Sequence, residues 1–305
     1  MPEGPEILLT SQYLTQKIVG HEIKSIKIIS GRYTHQKLKG LDIIKNVATV
    51  VKINSKGKFM WFELKDTKTN DIIYILNTFG MSGKWSFEKG NGARIKIGMR
   101  YKKKKYKLYF HDMCNFGTIQ FTSDKKVLDA KLDKLGTDLI KSNYSIKEME
   151  KHLNKVTESK KKKRGNKNIV HMLMNQDKYK GIGCGIGNYL CAEILYEAKI
   201  NPNRDITDLT QKEIVKLGKS IRKILKKTYV NNSTNYLGHM NEFMEKHYDM
   251  IKSGRLPNYF DDIKLKDTAF QFKVYGKNYD SKNNKVIKTI IYQTRTTWWV
   301  PTVQK

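Results

Sequence analysis

The chain has 305 residues, 39% of them hydrophobic, which suits a globular protein of two domains and argues against wholesale disorder. Fifty-nine Lys and Arg against 29 Asp and Glu leave a formal charge of +30, a self-repelling surplus that a polyanion such as nucleic acid would offset; an AT-rich genome would also raise Lys, Asn and Ile. Three cysteines without a CxxC pair disfavour a disulfide scaffold or a sequence-local zinc site, and there is neither a signal-peptide pattern nor an apolar run near the ~18–20 residues of a membrane span.

Residues 3–18 place Ile7, Leu8, Tyr13, Leu14 and Ile18 at amphipathic-helix spacing. From about 24 to 122 short β-rich runs follow, KSIKIIS, VATVVKI, KFMWFEL, RIKIGM and YKLYFHD, broken by turn residues. Their regular spacing suggests a β-sandwich. KEMEKHL (147–153) is helical in pattern, and Lys160 to Arg164 is an unbroken basic tract, read as a solvated linker with a DNA contact as the other option. From 167 to 250 the pattern is helical, with an apolar stripe in IVKLGKSIRKILKK (214–227). From about 268 β character returns in AFQFKVYG and VIKTIIYQTRTTWWV, expected to pair as a hairpin around the polar loop NYDSKNNK.

In GIGCGIGNYLCAEILYEAKINPNR (181–204), glycines 181, 183, 185 and 187 precede a helix expected from about Tyr189 to Ala198. Glycine allows close approach of the backbone, and a helix N-terminus with free N–H groups favours phosphate. No GxGxxG can be laid on these glycines, and a helix-like run (169–176) precedes them, which excludes a dinucleotide fingerprint. Helix, glycine turns and helix describe a helix–two-turns–helix element, a signal of nucleic-acid binding that a ribosomal protein also carries.

The N-terminus reads MPEGPE. With Met1 removed, Pro2 is a free secondary amine, and an α-amine has a reference pKa of about 7.7–8.0 against about 10.4 for lysine. It could attack a sugar's anomeric carbon and form an iminium, with Glu3 handling protons. A helix start with acids in its first turn explains the same residues.

MPEGPEI, GIGN and further segments nevertheless occur in the order of the formamidopyrimidine-DNA glycosylase/endonuclease VIII family, which the chain closely resembles from residue 1 to nearly 305. The resemblance implies an α+β fold. An N-terminal helix and β-sandwich domain (1–142) and a linker (143–160) would lead to a helix–two-turns–helix domain (161–264) and a zincless-finger β-hairpin (265–305). It implies Pro2 as nucleophile, Glu3 as acid/base, Glu6 as supporting acid and Lys58 as the lysine beside the lesion phosphate. Asn188 and Arg295 match backbone-gripping residues, Met81 and Phe116 match side chains that fill the gap left by a flipped base, and Gly185, Gly187 and Tyr189 belong to the DNA-binding turn.

Two departures stand out. Cys114 and Asn115 occupy the places of two arginines before FG, so the contact to the orphaned base is altered. Val300 and Val303 stand where zinc-binding cysteines would, and packing by Phe272, Tyr275, Trp298, Trp299 and Val300 would hold the finger instead. The expected activity is therefore a bifunctional glycosylase/AP lyase of the endonuclease VIII-like branch, working on oxidised pyrimidines and ring-opened purines by β,δ-elimination. It would need no cofactor or metal. Its partner would be double-stranded DNA carrying oxidised bases or abasic sites, with single-stranded DNA left open. A monomer without a membrane anchor is expected, in a nucleus or, for a bacterial or viral source, the cytoplasm. The competing reading is a non-catalytic DNA- or RNA-binding protein on the same scaffold.

Overall fold

The computed structural model describes residues 1–232, 234–260, 270–293 and 295–305. The chain forms two compact units, one of Met1–Pro2 and Glu6–Asp133, the other of Glu3–Pro5 and Lys134–Lys305. This break lies ahead of the expected boundary at 142/143, and the expected boundary at 264/265 lies outside the described residues.

Helix α1 (Gly4–Ile18) begins the chain, and from Glu6 onward it belongs to the first unit. Ile7, Leu9, Leu14 and Ile18 are buried, and Thr15 Oγ1 donates to the Ile53 carbonyl (3.4 Å). The strands are β1 (Glu22–Ile28), β2 (Ala48–Lys56), β3 (Phe59–Asp66), β4 (Ile72–Thr78), β5 (Lys84–Ser86), β6 (Ala93–Tyr101), β7 (Lys104–His111) and β8 (Thr118–Thr122). They join in the order β5-β7-β6-β1-β2-β3-β4-β8, with every pairing antiparallel.

The register explains how one hydrogen-bonded sheet makes a sandwich. Strands β1 and β2 share only Glu22↔Thr49 and Ile23↔Ala48, so two four-stranded halves meet at a narrow seam. Their apolar faces then close on each other. Trp85, on edge strand β5, donates its indole N–H to Asn77 Oδ1 of β4 (2.9 Å) and packs edge-on to Phe62 of β3 at 5.4 Å between centroids. Alternation in β6, where Ile95, Ile97 and Met99 are buried, supplies the same core. Helix α2 (Lys125–Lys134) follows.

In the second unit, α3 (Ile146–Lys162) starts at a capping box in which Ser145 and Glu148 satisfy each other's backbone N–H. The expected linker is thus mostly a helix with Met149, Leu153 and Thr157 buried, and Lys160–Lys162 of the basic tract form its last turn. Helix α4 (Ile169–Met174), the glycine turns and α5 (Asn188–Ala198) make the helix–two-turns–helix element. Helix α6 (Gln211–Val230) has its own capping box on Thr210 and Glu213, and α7 (Asn241–Lys252) buries Phe243, His247, Met250 and Ile251.

The terminal hairpin differs from expectation. Its strands are β9 (Ile287–Tyr292) and β10 (Arg295–Trp299), both cut from the one run VIKTIIYQTRTTWWV, and the described part of AFQFKVYG is not a strand. The reason is a competing acceptor. Buried Glu193 of α5 takes the backbone N–H groups of Lys273, Val274 and Tyr275 (2.9–3.0 Å), which removes three successive donors from any ladder. The polar loop closes on itself around Asp280, with a bridge between Tyr279 and Lys285.

Candidate active site

The chemistry-bearing residues of the second unit gather around the start of α5. The Glu3 side chain is fully buried; its Oε2 accepts from the N–H of Gly187 (2.6 Å) and Leu190 (3.3 Å), its Oε1 from that of Tyr189 (2.9 Å). A carboxylate in this position caps the helix and is stabilised as an anion by the helix dipole. The glycines make this approach possible. Gly4 N–H donates to the Gly185 carbonyl (2.8 Å), and a Cβ on Gly4 would stand 2.8 Å from the Gly185 Cα.

This corrects one expectation. The N–H groups of Gly187 and Tyr189 were to be free for a phosphate, but an acid from the protein's own N-terminus occupies them, and Gly185 N–H donates to Gln176 Oε1 (2.7 Å). The Tyr189 ring is buried, in contact with Phe270, Phe272 and Tyr275 at 5.4–6.1 Å between centroids, so it packs rather than faces a ligand. Asn188 is only partly buried, and its side chain is hydrogen-bonded to the Tyr275 hydroxyl.

Tyr275 was read from the sequence only as packing. Burial pushes its phenol up, as does the charge of Glu3, while the Asn188 hydrogen bond and the Arg295 charge act the other way. The phenol therefore keeps its proton at neutral pH and sits within electrostatic reach of Glu3, Asn188 and Arg295 together. Arg295 opens β10, paired with Tyr292 beside the hairpin turn. Aromatic character in the finger was visible in the sequence, but no local signal separates this tyrosine from its neighbours.

A cleft of about 350 Å³ lined by Thr234, Asn235, Phe270, Gln271, Phe272 and Lys277 opens in the same unit. Phe270 and Phe272 both touch the Tyr189 ring, so its wall lies one residue from the Glu3 carboxylate.

The first unit holds the other expected residues. Pro2 and Glu6 are buried, and Lys58 sits in the two-residue turn between β2 and β3, half-buried. Met81 and Phe116 are 49% and 63% exposed on two loops in contact, since a Cβ on Gly80 would meet the Phe116 backbone at 2.6 Å. A hydrogen-bonded clamp that sequence reading missed fixes these loops. Asp112 accepts from Ser82 Oγ (2.7 Å) and Gly117 N–H (2.6 Å), Ser82 Oγ accepts from Cys114 N–H (2.8 Å), and Arg94 Nε donates to the Asp112 carbonyl (2.8 Å). Two large apolar side chains held out in water by such a clamp cost free energy unless something covers them.

In the finger, Val300 is fully buried with Ala192, Val274 and Val286, and Val303, Tyr275 and Trp298 pack against them. Among the described residues, no group of three His, Cys, Asp or Glu is arranged to hold a metal, and no helix is long and apolar enough to cross a membrane.

Sequence comparison matches residues 1–119 to the formamidopyrimidine-DNA glycosylase N-terminal domain, 135–236 to its H2TH domain and 261–305 to its C-terminal domain. The chain belongs to the formamidopyrimidine-DNA glycosylase family. Its relatives include the formamidopyrimidine-DNA glycosylases of Mycoplasma genitalium (27% identical over 244 residues, 77% of each chain) and Ureaplasma parvum (28% over 244 residues, 77% of this chain and 80% of that one). Among solved structures, the Lactococcus lactis enzyme bound to DNA with an oxidised pyrimidine superposes with a TM-score of 0.71 at 23% identity over the whole of both chains. The Thermus thermophilus protein does so at 0.69 and 17% over 99% and 98%. These share the α+β fold. Formamidopyrimidine-DNA glycosylases are DNA glycosylases with AP lyase activity, and this chain is such an enzyme. Residues 237–260, which carry α7, fall in none of the three domain matches.

Proposed function

We propose that the enzyme removes oxidised bases, pyrimidines and ring-opened purines foremost, from double-stranded DNA and then cuts the strand. The carrying observation is the Glu3 carboxylate, fixed by three backbone N–H groups one peptide bond from Pro2. With Met1 removed, the Pro2 nitrogen bonds to C1′ while the glycosidic bond breaks and its electron pair leaves with the base. Glu3 carries the proton that Pro2 loses toward the sugar ring oxygen, the ring opens, and an iminium links protein to DNA. β-Elimination of the 3′ phosphate and δ-elimination of the 5′ phosphate follow, with Glu6 as supporting acid. No cofactor takes part.

Lys58, Asn188, Tyr275 and Arg295 offer donors to the phosphates around the extruded nucleotide, the arginine through its planar fork. Met81 and Phe116 enter the stack, which partly offsets an unstacking cost on the order of a few kcal/mol. The base goes to the cleft beside Phe270, whose volume falls in the ~300–1,000 Å³ range of ligand sites. Cys114 and Asn115 offer no guanidinium fork to the orphaned base, so selectivity for the opposite base is loose. With the zincless finger, this favours the endonuclease VIII-like branch.

Borohydride treatment of protein lacking Met1 with oxidised-pyrimidine duplex should trap a covalent adduct through Pro2. A Met1-retaining form, in which Pro2 is an unreactive amide, should give none. Trapping that is absent from the former, or equal in both, would refute the mechanism.

A further inference from the structure

A second cleft, of about 680 Å³, shares Gln271, Phe272 and Lys277 with the first and adds residues that the proposed reaction does not use. Lys227 of α6, Lys273, Lys277, Phe272 and Tyr279 are among its lining residues. The acid in its wall, Asp280, and the neighbouring Glu197 are already committed. Glu197 is paired with both Lys223 and Lys273, and Asp280 accepts from Tyr196, Lys282 and Asn284. Among the described residues, Lys227 and Lys277 have no acidic partner. Burial pulls the Lys227 ammonium down and the charges of Lys273 and Lys223 add to this, outweighing the nearby Glu197 carboxylate, so a bound anion would be favoured there. The Tyr279 ring is 56% exposed.

Ammoniums without an acidic partner among the described residues and an open aromatic face lining one cleft suit single-stranded nucleic acid, whose phosphates meet the cations while a free base stacks. A duplex keeps its base faces covered and offers nothing to Tyr279. We propose that this cleft binds a single-stranded nucleic-acid segment, with a phosphate at Lys227 and a base on Tyr279. The proposal rests on the DNA-acting role above; Gln271, Phe272 and Lys277 are shared with the base cleft, whereas Lys227 and Tyr279 line this cleft alone.

The test uses the full chain and a fluorescein-labelled ten-residue oligothymidylate, with incision of a duplex abasic site run in parallel. Tyr279→Ala should weaken oligomer binding roughly 5- to 150-fold. Lys227→Gln should flatten the slope of log K against log salt by about 0.7. Duplex incision should be unchanged in both. Oligomer affinity and salt slope equal to the parent protein's in both variants, or no oligomer binding by the parent, would overturn the cleft while leaving the incision reaction standing. Displacement by thymidine monophosphate at equal nucleotide concentration would overturn a strand as the ligand.

Discussion

Glu3 ties the start of the chain to the start of α5, its carboxylate oxygens satisfying three converging N–H groups. A glutamine would turn a donor toward donors. Glu3→Gln should cost about 1–2 kcal/mol of stability and slow base excision about 10²–10⁴-fold, while nicking of a preformed abasic site, where no base departs, falls less. Single-turnover excision at the parent rate would contradict the assignment. The motif MPEGPE marked Glu3 in the sequence, but its partners lie over 180 positions away. Nothing local could show that the helix N-terminus was already filled, or that Tyr275 is hydrogen-bonded to Asn188 and feels the charge of Arg295.

The finger is held by two carboxylates and an apolar cluster. Glu193→Ala strands three backbone N–H groups and should cost about 3 kcal/mol or more, whereas Glu193→Gln keeps an acceptor oxygen and should cost less; denaturant unfolding reads both. Equal effects would show that shape, not hydrogen bonding, matters there. Desolvation pushes the Asp280 carboxyl up, but hydrogen bonds from Asn284, Lys282 and Tyr196 outweigh it and hold the pKa at about 2. A depressed folded pKa gives stability that is present above the ordinary carboxylate range and fades as pH falls toward 2. Fluorescence of Trp298 and Trp299 should therefore report loosening of the hairpin between about pH 4 and 2, and Asp280→Asn should remove that step. The alternation in VIKTIIYQTRTTWWV signalled strand here. Which strand paired with which did not follow, because Glu193 on α5 withdrew the donors of the other candidate.

Over the whole molecule the charge of +30 sets behaviour that no single contact explains. If about six phosphates are neutralised, log K for duplex DNA should fall against log salt with a slope near −5. A flat salt response would separate the charge from binding. Chelator treatment should leave incision unchanged, because Val300 and Val303 pack where a metal-bound finger would hold cysteines.

The sequence by itself determined the helix–two-turns–helix element, the β-rich first unit, the proline–glutamate start and the basic surplus, because periodicity, glycine turns and charge act over neighbouring residues. Tertiary structure decided the rest: that two half-sheets close through Trp85 and Asn77, that Glu3 rather than a phosphate caps α5, and that β9 pairs with β10. Each of these is a competition for the same backbone or side-chain hydrogen-bonding group, and its winner is the partner that folding brings nearest, however distant along the chain.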